Sequence, residues 1–172
     1  MPERDKFLEE LYLENRKRIF DFLFRFSNNF DTAMELMQDT FVSYIKNYSE
    51  REYSKERATM LLYTIARNLS INYSKKFSTI RESHTAEVDH FEHNVLSFEK
   101  KLENKDLETQ LQNCLNELPE DLKTSYVLRI LEDLSLSQIA EIMEISISTA
   151  SRLVVKAQRT LYEMAKERKI LS

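Results

Sequence analysis

The sequence predicts an all-α protein of two small helical domains joined by a flexible acidic linker, with a helix-turn-helix in the C-terminal domain. None of the 172 residues is glycine, and β-rich folds normally place glycine where a turn needs positive φ. Apolar residues recur at three- and four-residue steps towards both ends of the chain. Charge is unevenly distributed, because residues 51–81 hold seven basic and two acidic side chains, whereas residues 82–121 hold three and eleven.

The composition also excludes whole classes of function. Without glycine there is no P-loop, dinucleotide fingerprint or glycine-flanked nucleophile elbow. The single cysteine, Cys114, is expected to be a buried thiol, and His84, His90 and His93 match no closed zinc site. We therefore expect no enzyme, catalytic residue, metal, cofactor or small-molecule substrate. No signal peptide or membrane-spanning run is visible, which predicts a cytoplasmic protein without membrane insertion.

Residues 1–77 are expected to form the first domain, a bundle of three helices. The first helix has an apolar stripe that lacks a member near Asn15; the stripe consists of Phe7, Leu11, Ile19, Phe22 and Phe26. The second helix could be capped by Asp31 or Thr32. Its inward residues are predicted to be Met37, Phe41, Tyr44 and Tyr48.

That register turns Glu35, Asp39 and Val42 outward on the second helix. Like charges four residues apart repel by a few tenths of a kcal/mol, up to about 0.5. A basic partner would relieve this repulsion, although an ordinary acidic surface has the same pattern.

The third helix is predicted from about Arg57 to Lys76. Its buried stripe is expected to be Ala58, Leu62, Ile65, Leu69 and Tyr73. The opposite face would carry Tyr63, Arg67, Ser70, Ile71 and Ser74, with Asn68 and Lys75 at its edge. Cations interleaved with aromatic rings suit single-stranded nucleic acid, because bases stack on rings while cations follow the phosphates. A solvated helix with one exposed tyrosine would look similar.

Residues 78–106 lose the helical pattern and are predicted to be the linker, and residues 107–172 are predicted to be the second domain. A leucine-rich helix ends at Pro119, and another helix runs from Glu120 to about Leu131. Ser135 and Gln138 then form a capping box.

A last helix begins at the expected cap Ser146, and only Glu144 and Ile145 separate it from the preceding short helix. So short a turn predicts a helix-turn-helix unit. The inward face of the last helix is predicted to be Ile147, Ala150, Val154, Ala157, Leu161 and Met164. The outward face is predicted to be Ser148, Arg152, Val155, Arg159 and Lys166, with Thr149 and Lys156 beside it.

Small polar residues followed by cations suit a recognition helix in a major groove. From Ser146 onwards the chain has six basic and two acidic residues. A solvated amphipathic helix is the alternative.

Several strings together resemble the sigma-70 family of bacterial RNA polymerase sigma factors, in its extracytoplasmic function (ECF) group. They are AMELMQDTF at 33–41, LYTIARN at 62–68, Leu118-Pro119, and IAEI at 139–142. The resemblance implies an alternative sigma factor that binds core RNA polymerase and directs promoter recognition, melting and transcription initiation. It also implies an anti-sigma factor as a partner.

The resemblance implies three sets of site residues. Core polymerase would be bound by Glu35, Leu36, Gln38, Asp39 and Val42. The minus-ten promoter element would be read by Asn47, Tyr53, Tyr63, Arg67, Asn68, Asn72, Lys75 and Lys76. The minus-thirty-five element would be read by Ser148, Thr149, Ser151, Arg152, Val155, Lys156 and Arg159.

The chain departs from the family pattern at a few positions. Leu61 stands where the family usually has tryptophan, Thr64 where it has arginine, and Glu144 where glycine is common in the turn. Leu153 and Val155 replace basic residues. Two other functions therefore stay open: a stand-alone helix-turn-helix DNA-binding regulator, and a sigma mimic that sequesters an anti-sigma factor.

Overall fold

A computed structural model describes residues 2–83 and 105–170 of the chain. These residues form seven α-helices and one π-helical turn, with no strand among them. The helices are α1 (Pro2–Ser27), α2 (Phe30–Tyr48), α3 (Lys55–Ser83), α4 (Lys105–Glu117), α5 (Glu120–Tyr126), α6 (Leu136–Met143) and α7 (Ile147–Glu167). The π-helical turn, Val127–Leu131, continues α5. Within the described ranges, no helix is long and apolar enough to cross a membrane.

The chain divides into two compact units, one holding α1–α3 and the other α4–α7. The predicted all-α class and two-domain organisation are confirmed. The third helix is longer than the sequence pattern indicated, because α3 continues to Ser83. Most of the predicted linker, with His84, His90 and His93, lies outside the described residues. The domain limits 1–77 and 107–172 stay predictions.

The core of the first unit is built where α3 packs against both α1 and α2. Asn15, the gap in the apolar stripe of α1, is buried in this core. Its Nδ2 atom donates to the carbonyl of Leu11 at 3.0 Å, and its Oδ1 atom accepts from the Thr59 hydroxyl at 3.3 Å. The polar residue is tolerated because donor and acceptor are both satisfied, so the gap in the stripe does not interrupt the helix.

The cap of α2 lies before the expected position. Asn29 has extended backbone, and its Oδ1 atom accepts from the backbone N–H of Thr32 at 2.9 Å. The prediction of Asp31 or Thr32 as cap is wrong, because both residues already lie inside the helix that begins at Phe30. A side-chain capping bond of the expected type does form, but its acceptor is Asn29, the residue directly before the helix.

The second unit is centred on α7, against which α4, α5 and α6 all pack. Cys114 is buried there, as predicted. Lys123 of α5 is buried as well, and its Nζ atom donates to Oδ1 of Asn116 at 3.2 Å. Burial lowers the pKa of Lys123 from 10.5 to about 8, because the ammonium loses its hydration.

The helix-turn-helix forms as the sequence predicts. Both bonds of the capping box are present, since the Gln138 N–H donates to Ser135 Oγ at 3.1 Å and Gln138 Oε1 accepts from the Ser135 N–H at 2.9 Å. Glu144 ends α6 in the left-handed region, with φ 56° and ψ 45°. Ser146 caps α7 by accepting from the Thr149 N–H at 3.1 Å. Ile147, expected to be inward, is instead exposed at this helix start.

Candidate nucleic-acid and protein interfaces

One exposed surface follows α2 and combines carboxylates with an aliphatic side chain. Glu35, Gln38, Asp39 and Val42 are all exposed, and their spacing places them on one side of the helix. Val42 is 48 % exposed, which is high for a valine in a packed helix. We call these four residues the α2 acidic face. Glu35, Asp39 and Val42 keep the outward positions that the sequence predicts, and Gln38 lies beside them.

Leu36, predicted beside them, does not belong to this surface. It is only 8 % exposed and is part of the core. The helical repeat places Leu36 next to Met37 and one turn before Thr40, and both of these residues are buried as well. Its carbonyl accepts from the Thr40 hydroxyl at 2.7 Å. Leu36 is therefore part of the packing of α2 and not of its exposed face, and its assignment to polymerase binding stays a prediction.

Ile45 extends the α2 acidic face and was missed by the sequence reasoning. It is 45 % exposed and lies three residues beyond Val42, so the two aliphatic side chains are neighbours on the helix surface. The signal was present in the sequence as the continuation of the 35, 38–39, 42 spacing. The surface thus has an acidic first half and an apolar second half, a combination that suits a partner bearing both cations and an apolar contact.

A second surface follows the outer side of α3. Asn68, Asn72, Lys75 and Lys76 are exposed there, and Arg67 is half-buried. The side-chain amides of Asn68 and Asn72 can accept and donate hydrogen bonds. Lys75 and Lys76 supply positive charge one helical turn further along α3. Asn68 and Lys75 keep the exposed positions that the sequence predicts, whereas Arg67, predicted outward, is half-buried and Ser70, also predicted outward, is buried.

Tyr63 is the clearest correction on α3. The sequence pattern placed it outward, but its side chain is 0 % exposed. Its ring meets Phe22 edge-on, with centroids 5.6 Å apart and an interplanar angle of 86°. The guanidinium of Arg18 lies 5.6 Å from the ring centroid. Because α3 packs against two helices, its buried face is wider than one stripe, and a residue opposite that stripe is covered.

The two family departures on α3 have local explanations. Leu61 is buried in the core, so a side chain at this position contributes to packing in the observed conformation. The Thr64 hydroxyl donates to the carbonyl of Met60 at 3.0 Å and is therefore used within the helix. Neither residue adds a ring or a charge to the outer side of α3.

The connection between α2 and α3 carries the remaining predicted residues of this surface. Asn47 is exposed near the end of α2, and its Nδ2 atom donates to the carbonyl of Ser43 at 3.0 Å. Tyr53 is half-buried, with its ring 6.3 Å from that of Tyr48 at an angle of 60°. One side of the Tyr53 ring therefore packs against the protein while the residue keeps exposed area.

A third surface runs along α7. Ser148, Arg152, Val155, Lys156 and Arg159 are exposed, and Thr149 and Ser151 are half-exposed. From Ser148 to Arg159 the surface is about 16 Å long at 1.5 Å per residue. We call these seven residues the α7 basic face. All seven keep the accessibility that a recognition helix needs.

The start of the α7 basic face is held by a small hydrogen-bond network. Ser146 Oγ donates to Thr149 Oγ1 at 2.9 Å, and Arg152 Nη2 donates to the same Thr149 oxygen at 3.2 Å. Arg152 is thus oriented by a neutral hydroxyl, and its charge is not neutralised. Among the described side chains, no carboxylate lies within ion-pair distance of Arg152, Lys156 or Arg159. The positive charge of this face is therefore available to a polyanion.

The described residues contain no group of three or more histidine, cysteine or acidic side chains that could hold a metal ion.

Comparison with protein-family models tests the family resemblance found in the sequence. Residues 11–78 match the family model for Sigma-70 region 2, and residues 108–161 match that for Sigma-70 region 4. Together the two matches cover most of the chain, in the order that the sequence analysis expects. The chain belongs to the sigma-70 family, in its ECF group. The α2 acidic face and the exposed side of α3 lie in region 2, and the α7 basic face lies in region 4.

Relatives and solved structures agree with this assignment. The chain is 27 % identical to the RNA polymerase sigma factor YlaC of Bacillus subtilis, over 94 % of this chain and 92 % of YlaC. It is 25 % identical to the ECF RNA polymerase sigma factor SigM of the same organism, over 90 % and 92 %. The fold is similar to that of the Bartonella quintana sigma factor RpoE, crystallised with the anti-sigma factor NepR. That match has a TM-score of 0.69 at 20 % identity and covers 92 % of this chain and 96 % of RpoE.

Proposed function

We propose that the chain is an alternative sigma factor, which binds core RNA polymerase and directs it to promoters, where it takes part in recognition, melting and transcription initiation. One observation carries the proposal. An acidic face in region 2 and a basic face in region 4, suited to partners of opposite charge, are both exposed on a single chain. A sigma factor needs both surfaces, because it joins a protein partner to DNA.

The α2 acidic face is the proposed polymerase-docking surface. Glu35 and Asp39 lie four residues apart and repel each other, so a basic partner surface gains attraction and relieves this repulsion together. Val42 and Ile45 offer the apolar contact that the centre of an interface usually contains.

Promoter DNA would be contacted at two places. The α7 basic face would enter the major groove at the minus-thirty-five element, with Ser148 and Thr149 near base edges and Arg152, Lys156 and Arg159 near phosphates. The residues Asn68, Asn72, Lys75 and Lys76, with the loop before α3, would contact the melted minus-ten element. Each surface has few cations, so neither alone binds DNA tightly. Tethering both to polymerase makes the second contact intramolecular.

The remaining parts of the proposal follow from this role. Sigma factors are transcription initiation factors, so we propose no catalytic residue, no cofactor and no small-molecule substrate. The protein would act in the cytoplasm, where polymerase and DNA are. We also propose an anti-sigma factor as a partner, a proposal supported by the fold similarity to RpoE, which was crystallised with one. The domain limits 1–77, 78–106 and 107–172 are kept as part of the proposal.

Run-off transcription with purified core polymerase and genomic promoter fragments tests the function. We expect new promoter-specific transcripts and co-purification of the chain with core. DNA binding without core, at unchanged affinity when core is added, would instead indicate a stand-alone regulator. Binding to an anti-sigma factor with neither transcripts nor core binding would indicate a sigma mimic.

A further inference from the structure

The loop between α2 and α3, residues 49–54, is attached to α1 at both of its ends. At its start, Arg4 of α1 makes two separate contacts. Arg4 Nη2 donates to Ser49 Oγ at 2.7 Å, and Arg4 Nη1 lies 3.1 Å from Oε1 of Glu50. The planar guanidinium suits this arrangement, because its nitrogens point in fixed directions and can serve two acceptors at once.

Through Ser49, Arg4 is connected to the C-terminal end of α2. The Ser49 hydroxyl donates to the carbonyl of Ile45, so its oxygen is left to accept the bond from Arg4. Ser49 is also the C-terminal cap of α2. A cation at this end of a helix interacts favourably with the helix dipole. Arg4 thus fixes the last turn of α2, from which the loop departs.

The other end of the loop is held by opposite charges. Lys55, the first residue of α3, lies between two carboxylates of α1, with Nζ 3.0 Å from Glu10 Oε2 and 2.9 Å from Glu14 Oε1. The hydrogen bond that Lys55 donates to Glu14, and then the one that it donates to Glu10, raise the pKa of Lys55, and the latter bond lowers the pKa of Glu10. A single lysine therefore connects the start of α3 to two successive turns of α1.

Through these contacts, α1 holds both ends of the loop. Arg4 and Glu14 are ten residues apart, which corresponds to about 15 Å of helix. Between α1 and the loop lies a cleft of about 540 Å³. Its lining comes from the first turns of α1 and from the loop, and it includes Arg4, Ser49, Glu50 and Tyr53. Tyr53, a predicted minus-ten residue, therefore lies on a surface that α1 helps to shape.

We propose that Arg4 is a positioning residue for promoter reading, which sets the conformation of loop 49–54 and thereby the discrimination between bases at the minus-ten element. The inference rests on the proposed function, because it needs a promoter to read. It also goes beyond the family match, which begins at residue 11. Arg4 acts through Ser49 and Glu50 and is not itself required to touch DNA.

Removal of Arg4 should affect the loop and not the fold, because the contacts of Arg4 with Ser49 and Glu50 lie on the surface. Glu50 has a side chain that is 80 % exposed, and exposed ion pairs add little to stability. Removing Arg4 should therefore leave the three-helix bundle folded and free only the loop. A change in base discrimination of about five-fold corresponds to about 1 kcal/mol, the upper range for such a pair.

The test uses the full chain with core polymerase on templates that differ by one base pair at each minus-ten and minus-thirty-five position. The variants are Arg4→Ala, Arg4→Glu, and Arg4→Glu with Glu50→Arg, which restores the pair with its charges exchanged. Lys17→Ala is the matched control, because Lys17 is a cation of α1 whose partner, Asp21, lies on the same helix at 2.9 Å. Amide hydrogen exchange in residues 49–54 is measured on every variant.

We expect Arg4→Ala and Arg4→Glu to reduce discrimination at minus-ten positions about five-fold, with unchanged core affinity and unchanged minus-thirty-five discrimination. Exchange in the loop should speed up, and the charge-exchanged pair should recover both properties. The proposal is overturned if discrimination stays at the Lys17→Ala level, or if transcription falls equally on all templates and the exchanged pair does not recover it. If the unmodified chain directs no transcription, the proposed function itself fails, whatever the loop exchange shows.

Discussion

Lys123 Nζ donates to Asn116 Oδ1 across 3.2 Å, in a part of the second unit where the lysine side chain is almost fully removed from water. Asn116 Oδ1 also accepts from Gln112 Nε2 at 2.9 Å, so the amide oxygen keeps a donor even without the lysine. Lys123 therefore places a charge in the interior, but Asn116 does not need it as a hydrogen-bond donor.

Lys123→Met is expected to stabilise the protein at pH 7. The folded state lowers the pKa of Lys123 to about 8, below its ordinary value of 10.5. Between these two pH values the unfolded chain binds a proton that the folded chain does not, so stability of the unmodified protein rises with pH by up to about 3 kcal/mol. In Lys123→Met this rise should be absent. Urea denaturation from pH 7 to 10.5 measures it.

Lys156→Met is the control for this experiment, because Lys156 is exposed on α7. It should change stability by less than about 0.5 kcal/mol and keep the rise above pH 8. Equal pH dependence in the unmodified protein and in Lys123→Met would contradict the buried charge.

Substitution of Tyr63 separates packing from DNA contact. Because its ring is buried against Phe22, Tyr63→Ala should destabilise the first unit by about 3–5 kcal/mol. Tyr63→Phe keeps the ring and should cost no more than about 1.5 kcal/mol. Urea denaturation gives both values, and run-off transcription by Tyr63→Phe should match that of the unmodified chain. A strong loss of transcription in a well-folded Tyr63→Phe protein would assign the hydroxyl a role in DNA reading.

Reversing the charge of the α2 acidic face should abolish binding to core polymerase. Glu35→Lys with Asp39→Lys turns two attractive contacts into repulsive ones, and facing like charges cost several kcal/mol at an interface. Both side chains are exposed, so the fold should be unchanged by circular dichroism. Asp5→Lys with Glu9→Lys, an exposed acidic pair with the same spacing on α1, is the control and should still bind. Pull-down with core measures the effect, and undiminished binding would remove the docking assignment.

The α7 basic face should account for part of the salt dependence of promoter binding. Arg152→Ala and Arg159→Ala each remove one cation, so each should lower the slope of log affinity against log salt by about 1. Arg152→Lys and Arg159→Lys keep the charge and should keep the slope. The measurement is holoenzyme binding to a promoter fragment at a series of salt concentrations. Identical slopes in the alanine and lysine variants would exclude phosphate contacts at these positions.

Glu144→Gly is expected to stabilise the helix-turn-helix. A left-handed residue with a Cβ atom costs about 1–2 kcal/mol, and glycine avoids this cost but adds freedom to the unfolded chain. A net gain of about 1 kcal/mol should raise the melting temperature of a unit of this size by about 4–8 °C. Glu144→Ala keeps the Cβ atom while removing the charge. If Glu144→Ala gained as much as Glu144→Gly, the effect would come from charge.

Most features set by neighbouring residues were predictable from the sequence, the exception being the cap of α2, which is Asn29 and not Asp31 or Thr32. The caps at Ser135 and Ser146 were predictable, because each cap bonds a backbone N–H only three residues away. The exposed faces of α2 and α7 were also correct, since each of these helices has one clear apolar stripe.

Features that depend on residues distant in the chain could not be predicted from the sequence pattern. Tyr63 was assigned to a surface because a helical repeat does not reveal how many helices cover it. Leu36 was included because the family resemblance points to a segment as a whole and does not separate its buried residues from its exposed ones. The burial of Asn15 depends on Thr59, 44 residues away, and the attachment of Ser49 depends on Arg4, 45 residues away. These contacts exist only once the bundle has formed.

The lack of glycine has a consequence for the unfolded chain. Every residue carries at least a Cβ atom, so the unfolded ensemble samples fewer backbone conformations, and less conformational entropy is lost on folding. In the described part of the chain, the left-handed backbone that turns require is adopted by Asn28, Asp133, Glu144 and Lys169. Among the described residues the steric strain thus falls at these four positions, while the entropic advantage of lacking glycine is distributed over the entire length of the chain.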